Sequence, residues 1–274
     1  MKKHINIIWI FTVTLLIPAC YEPLEKDLYE DYQPRLVIEG KISDQAPPFS
    51  VKVSYSAPPD STVDFIPINE ALIRIRDDSG YVETAEWSTN GTYVFNNLEA
   101  VYGYNYYLSV QIEGKIYKAE ELLPVPPIVD TFLIQYKSDA IDGKGYYFKL
   151  LLKNETESVK YYKAEVSKND SLFNGYDDLL VFDDSYSQGM LEWTAPYAFA
   201  KGDSVTIKLH SLSENMYKYY YDLTRQTANV FSNIQPPGLN PENNLTNECL
   251  GYFQASSITR IDTVLSNVST ATIE

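Results

Sequence analysis

Residues 102–121 read YGYNYYLSVQIEGKIYKAEE, and their alternation decides the fold. Tyr106, Leu108, Val110 and Ile112 fall on one side of an extended chain, and Tyr107, Ser109, Gln111 and Glu113 fall on the other. That period of two is what a half-buried strand requires, whereas a helix would scatter both sets around its circumference. Glu113-Gly114 offers a two-residue turn that sends the chain back through 115–121 as the second arm of a hairpin. The segment Gly103-Tyr104-Asn105-Tyr106 puts a tyrosine where immunoglobulin-like sandwiches carry a tyrosine corner, so Tyr106 is assigned that structural role.

The same pattern extends upstream. RLVIEGKIS (35–43) and FSVKVSYS (49–56) read as strands, and a Pro-rich loop follows at 57–67. In NEALIRIRDDSGYVETAEW (69–87), Ala71, Ile73 and Ile75 alternate with Leu72, Arg74 and Arg76 before an Asp-Asp-Ser-Gly turn at 77–80. NGTYVF (90–95) opens on a second turn signal. About seven short strands at this spacing predict an immunoglobulin-like β-sandwich over 35–123.

LLPVPPIVD (122–130) breaks the composition and marks a Pro-rich linker at 124–130. Beyond it, 130–137, 145–153, 158–168 and 203–209 read as strands of a second domain over 131–274. In the last of these Val205, Ile207 and Leu209 point inward and Ser204, Thr206 and Lys208 outward. One helix is expected at about 212–229. Ser211 and Glu214 have the spacing of a capping box. Leu212, Met216, Tyr219 or Tyr220, Leu223 and Thr227 form a stripe, and Pro236-Pro237-Gly238 prevents continuation. LGYFQASSITRI (250–261) reads as a late strand. The predicted class is therefore mainly β, an N-terminal immunoglobulin-like sandwich followed by a second sandwich-like domain with one packed helix.

The first residues read as an export signal. Lys2 and Lys3 precede an apolar run from Ile5 to Ile17 that is shorter than the roughly 20 residues a spanning helix needs. Bulky Ile17 disfavours ordinary signal cleavage after Ala19, whereas Ile17, Ala19 and Cys20 suit a bacterial lipobox. Residues 1–19 are then a lipoprotein signal peptide, Cys20 carries diacylglycerol and an N-acyl chain, and 20–34 is an acidic tether. Residues 21–34 reach about 50 Å when fully extended. The chain holds 22 basic and 37 acidic residues for a net charge of −15, and the leader removes only basic ones. That balance excludes nucleic acid as a partner and leaves the acyl chains to hold the protein to the outer membrane.

Few residues suggest chemistry. Cys249 is the other cysteine, and it reads as a small buried hydrophobe. His210 is the histidine beyond the leader and falls on the outward face of its strand, as an exposed bystander. No nucleophile-elbow, zinc or phosphate-loop motif occurs. Asp177, Asp178, Asp183 and Asp184 in GYDDLLVFDDSYSQG (175–189) form the densest acidic group. They read as a solvated loop, with Ca²⁺ as the alternative, although the spacing is not that of an EF-hand. Tyr217, Tyr219, Tyr220 and Tyr221 span too wide an arc for one helix face, so at least one ring is expected to be exposed as a ligand or partner contact. No cofactor is implied beyond the lipid.

Taken together, the lipobox, LVIEGKISD (36–44), VKVSYSAPP (51–59), the hairpin running into LLPVPPIVD, SENMYKYYYDLTRQ (213–226), PPGLNPENN (236–244) and LGYFQASS (250–257) resemble a Bacteroidota lipoprotein family, domain of unknown function 4249. Genes of that family commonly lie beside TonB-dependent receptors. The resemblance implies a non-enzymatic outer-membrane lipoprotein, expected at the cell surface with the periplasmic face as the alternative. Its role would be that of accessory or binding partner of a TonB-dependent receptor in nutrient uptake. Two other readings stay open: a structural, adhesin-like or envelope-assembly subunit, and a surface hydrolase that uses paired carboxylates.

Overall fold

The computed structural model describes residues 32–58, 61–141, 143–154, 158–187, 189–228 and 240–265. The signal peptide, Cys20, most of the tether and Pro236-Pro237-Gly238 lie outside the described residues. From the N-terminal side the strands are β1 (Leu36–Ser43), β2 (Phe49–Ser56), β3 (Phe65–Pro67), β4 (Leu72–Asp77), β5 (Val82–Thr84), β6 (Glu86–Thr89), β7 (Thr92–Phe95), β8 (Asn105–Ile112) and β9 (Lys115–Leu122). Then come β10 (Ile128–Lys137), β11 (Gly145–Lys153), β12 (Tyr161–Lys168), β13 (Ser171–Leu172), β14 (Leu180–Asp183), β15 (Met190–Thr194) and β16 (Ser204–Leu212). Helix α1 (Glu214–Ala228) and β17 (Leu250–Val264) complete the described elements. The protein is mainly β, as its alternation predicts.

The β8–β9 hairpin forms at the expected turn, with Glu113 and Gly114 at positive φ of 49° and 81°, the pair of left-handed residues that a tight hairpin turn demands. Tyr106, Leu108, Val110 and Ile112 are buried, as are Ile73 and Ile75 of β4. Tyr106 is fully buried, and its hydroxyl accepts from the Val101 amide at 2.6 Å. The ring fills the core while the hydroxyl satisfies a backbone donor that would otherwise be buried unpaired.

A ten-stranded sheet organises the rest. Its main path runs β13-β12-β16-β17-β1-β2-β7-β6, and two smaller sheets, β5-β4-β8-β9 and β10-β11-β15, complete the layers. The β5-β4-β8-β9 sheet closes a core with Ile38, Val51, Phe95 and Phe253. The β10-β11-β15 sheet closes a second core with Tyr162, Val166, Ile207 and Leu209. There Phe148 stacks on Phe132 at 5.3 Å and meets Phe199 edge-on at 5.0 Å, each pair adding about 1 kcal/mol beyond area burial.

The late strand belongs to both cores rather than to the second alone. The first half of β17 pairs in parallel with β1, from Val37↔Leu250 to Ser43↔Ser256, and sends Phe253 and Ala255 into the first core. Its second half pairs antiparallel with β16, and Ile261 packs against the second core beside Leu265. The Pro-rich linker crosses between the small sheets and is pinned to β17: the Ser257 hydroxyl donates to the Pro124 carbonyl, and Thr259 donates to that of Pro127 at 2.7 Å.

Helix α1 starts two residues later than the expected cap. Ser211 and Leu212 are still in β16, and Ser213 is the cap, its Oγ accepting from the Met216 amide at 3.2 Å. Met216 and Tyr220 bury against Leu212 and Tyr252. Because α1 covers this face, both sides of β16 are buried from Leu209 to Leu212. His210 is therefore 6 % exposed, not the surface bystander that alternation predicts. No helix among the described residues is long and apolar enough to cross a membrane.

Candidate functional site

The outward residues of β4, β8 and β9 meet in rows fixed by strand register. Arg76 stands opposite Tyr107, and Tyr107 opposite Glu120; Arg74 stands opposite Ser109, and Ser109 opposite Lys118. Each row lies on one side of the pleat, so side chains as distant in sequence as Arg74 and Ser109 become neighbours. Residues 243–248 then run along the free edge of β9. The Lys118 amide donates to Thr246 Oγ1 at 2.9 Å, and the Thr246 amide donates to the Lys118 carbonyl at 2.9 Å. With Asn215 from the first turn of α1, these elements bound a groove of about 700 Å³, within the roughly 300–1,000 Å³ usual for ligand sites.

The groove is cationic at one end. The Arg76 guanidinium lies 4.0 Å from the centre of the Tyr107 ring and donates to the Asp77 carbonyl at 3.2 Å. The Tyr107 hydroxyl donates to Asp78 at 3.1 Å, which pushes the phenol pKa up. Arg74 and Lys118 are exposed and form no ion pair among the described residues. Glu120 is the one carboxylate lining the groove.

Behind the rim, Asn244 ties β9 to β17. Its Nδ2 donates to Glu121 Oε2 and to the Phe253 carbonyl, both at 2.7 Å, and its Oδ1 accepts from the Phe253 amide at 3.0 Å. Glu121 is 2 % exposed, Oε1 has no partner among the described residues, and burial pushes its pKa up to about 7.

The residues singled out from sequence do not converge on one site. Asp178 accepts from the Gly175 amide at 2.6 Å and from the Tyr197 hydroxyl at 2.7 Å. Asp183 accepts from the Ser185 amide at 2.9 Å and the Tyr217 hydroxyl at 2.7 Å; buried Asp184 accepts from the Lys160 amide at 2.8 Å and Asn154 at 2.7 Å. Asp177 is exposed. These carboxylates face separate donors, and no group of three or more His, Cys, Asp or Glu suited to a metal ion occurs among the described residues. Of the tyrosines, Tyr220 is buried and donates to Gln254 at 2.5 Å, Tyr219 packs on Tyr252 at 5.1 Å, and Tyr217 stacks on Tyr161 at 4.8 Å. Tyr221 is 46 % exposed. The cluster thus mainly docks α1 onto the sheet. Cys249 is buried, which raises its thiol pKa to about 11.

Beneath α1 lies a polar cluster that sequence reading missed. His210 Nδ1 is 3.3 Å from Ser256 Oγ, and Nε2 is 3.4 Å from Glu165 Oε2. The Lys163 ammonium contacts Glu165 at 2.9 Å and lies 4.9 Å from the centre of the Tyr220 ring. The approach of His210, joined by Lys163 and opposed by burial, holds the Glu165 carboxyl well below the ordinary range. Burial pushes the His210 pKa down, so the ring is neutral. Serine, histidine and carboxylate stand in the order of a hydrolytic triad. Yet Ser256 is 1 % exposed and its Oγ already accepts from Gln254 at 2.7 Å. An acyl donor has no route to it, and the cluster is a buried core network in which His210 Nε2 approaches Glu165 without a hydrogen bond.

Compared with known proteins, the sequence matches the model for Domain of unknown function (DUF4249) over residues 21–262. The chain belongs to that family. This DUF4249 chain matches no curated protein. Among solved structures it is similar to a two-domain fibronectin type III segment of chicken tenascin, at 11% identity and a TM-score of 0.21, over 65% of this chain and 91% of that one. It is also similar to the adhesin InvE of Yersinia pseudotuberculosis, at 13% identity and a TM-score of 0.21, over 65% and 56% of the two chains.

Proposed function

We propose that this DUF4249 chain is a non-enzymatic, lipid-anchored protein of the outer membrane that binds through the β4–β8–β9 groove. In this reading it serves as an accessory of a TonB-dependent receptor in nutrient uptake. The observation that carries the proposal is the groove itself. Its lining combines apolar Ile75, Val82, Leu108 and Ala119 with groups that hold a ligand, namely cations, a tyrosine ring, amides, hydroxyls and the Glu120 carboxylate. A carboxylate hydrolase needs two carboxyls converging about 5 to 10 Å apart, and Glu120 has no such companion in the lining. Anchoring is supported by the lipobox at Cys20, and the receptor partnership by the resemblance to a lipoprotein family with neighbouring receptor genes.

Exposed Leu72, Val82, Ile116 and Leu122 on the same sheet also favour a protein-binding role, as an assembly or adhesin-like subunit. Affinity capture of the native lipidated protein from membranes in mild detergent separates the two readings. A receptor barrel in the eluate supports the accessory role. Recovery without any barrel, with nutrient uptake unchanged on deletion, overturns it.

A further inference from the structure

The arrangement of charge in the groove identifies a ligand class. Among the described residues Lys149, Lys168, Lys218 and Arg260 each meet a carboxylate. Arg74 and Lys118 do not. Register places Ser109 between them, so the two cations flank a hydroxyl across two strand spacings, about 10 Å at the backbone. A single carboxylate seated over Ser109 lies within reach of both long side chains, with the hydroxyl as a third donor. The neighbouring row is of another kind. Arg76 is already committed to the Tyr107 ring and the Asp77 carbonyl. Glu120 stands beside Tyr107 and repels a second anion there.

Glu120, Asn215 and Thr246 supply acceptors and donors suited to hydroxyl groups. Val82 and Tyr107 supply apolar carbon for the C–H edge of a ring. The groove therefore combines one anion subsite with hydroxyl-reading groups at its exposed side and apolar Ile75, Leu108 and Ala119 beneath. A polyphosphate chain carries charge at every unit, including the one facing Glu120. An acidic peptide brings carboxylates but not the run of hydroxyls.

We propose that the groove binds a carboxylated sugar, a uronic-acid unit of an acidic glycan. Its carboxylate sits over Ser109 between Arg74 and Lys118, and its hydroxyls face Glu120, Asn215 and Thr246. This assignment rests on the reading of the protein as a binding module and specifies the ligand class of the same site.

The test is calorimetric titration of the full chain in mild detergent with xylotriose bearing a single glucuronate, its methyl ester and hexaglutamate. The glucuronate oligosaccharide should bind, more weakly as salt rises, and the ester and the peptide should each bind about tenfold less tightly. Arg74→Ala and Lys118→Ala should each weaken binding of the glucuronate oligosaccharide about tenfold. Both residues are exposed, so unchanged thermal melts will show that the variants remain folded. Equal binding of acid and ester, tighter binding of hexaglutamate, wild-type affinity in both variants, or no binding at all would overturn the assignment. A chain that fails this titration yet captures a receptor loses only its ligand class. One that passes it and captures no receptor loses only the receptor partnership.

Discussion

Asn244 donates to the Glu121 carboxylate at 2.7 Å while the same side chain makes both bonds of a bridge to the Phe253 backbone. An amide thus replaces a strand residue between β9 and β17, and a carboxylate of raised pKa holds it in place. Asn244→Ala removes three hydrogen bonds at once, and should lower the free energy of unfolding by about 2 to 4 kcal/mol in urea titrations.

Glu121 makes stability depend on pH in an unusual sense. Its folded pKa of about 7 exceeds the ordinary glutamate value of 4.5, so the native state binds the proton more tightly. The stabilisation is complete below the unfolded pKa and is lost as pH rises toward about 7, at a cost of about 3 kcal/mol. Glu121→Gln should raise the melting temperature at about pH 8 and flatten this slope. An unaltered slope in the variant would sink the explanation.

His210 acts in the opposite sense. Burial depresses its pKa below 6.5, so the unfolded chain takes up the proton first and stability falls as pH drops below 6.5. Between the two groups the wild-type profile should be shallow, because the terms oppose. His210→Asn should expose the Glu121 term alone, with stability falling monotonically toward alkaline pH; a profile like that of the wild type would count against it.

Gly251 has a φ of 96°, and a Cβ added there would stand 2.0 Å from the Ile38 carbonyl oxygen. Gly251→Ala should cost more than about 4 kcal/mol, because the parallel β1–β17 pairing admits no retreat. Recovery of a soluble variant with a near wild-type urea midpoint would contradict that register.

Tyr106→Phe leaves the Val101 amide without its 2.6 Å acceptor. The expected loss is about 1 to 2 kcal/mol, with the ring still packed, and chemical denaturation reads it directly.

Cys20→Ser should move the protein from the membrane pellet to the soluble fraction, because its negative charge gives no attraction to anionic lipid. Retention in the pellet, in cells lacking a partner, would refute lipid anchoring.

Period-two alternation made the β8–β9 hairpin, the inward set of β4 and the buried Tyr106 legible from sequence. It also put Arg74, Arg76, Tyr107 and Ser109 on outward faces, but not beside one another. That adjacency depends on the β4–β8 register across some thirty intervening residues, which no local pattern encodes. His210 was misplaced for a related reason: alternation assigns faces, and it does not say that α1 will fold back over one of them. The sharing of β17 was hidden too, since half of that strand pairs with β1, over two hundred residues away in sequence.

That central pairing has a mechanical consequence. Residue 35 leads into β1, which is hydrogen-bonded on both sides, by β2 and by β17. Tension drawn along β1 through residue 35 would load two ladders in shear together instead of peeling an edge strand bond by bond. The entry of the chain into the sheet is thereby built to carry pull.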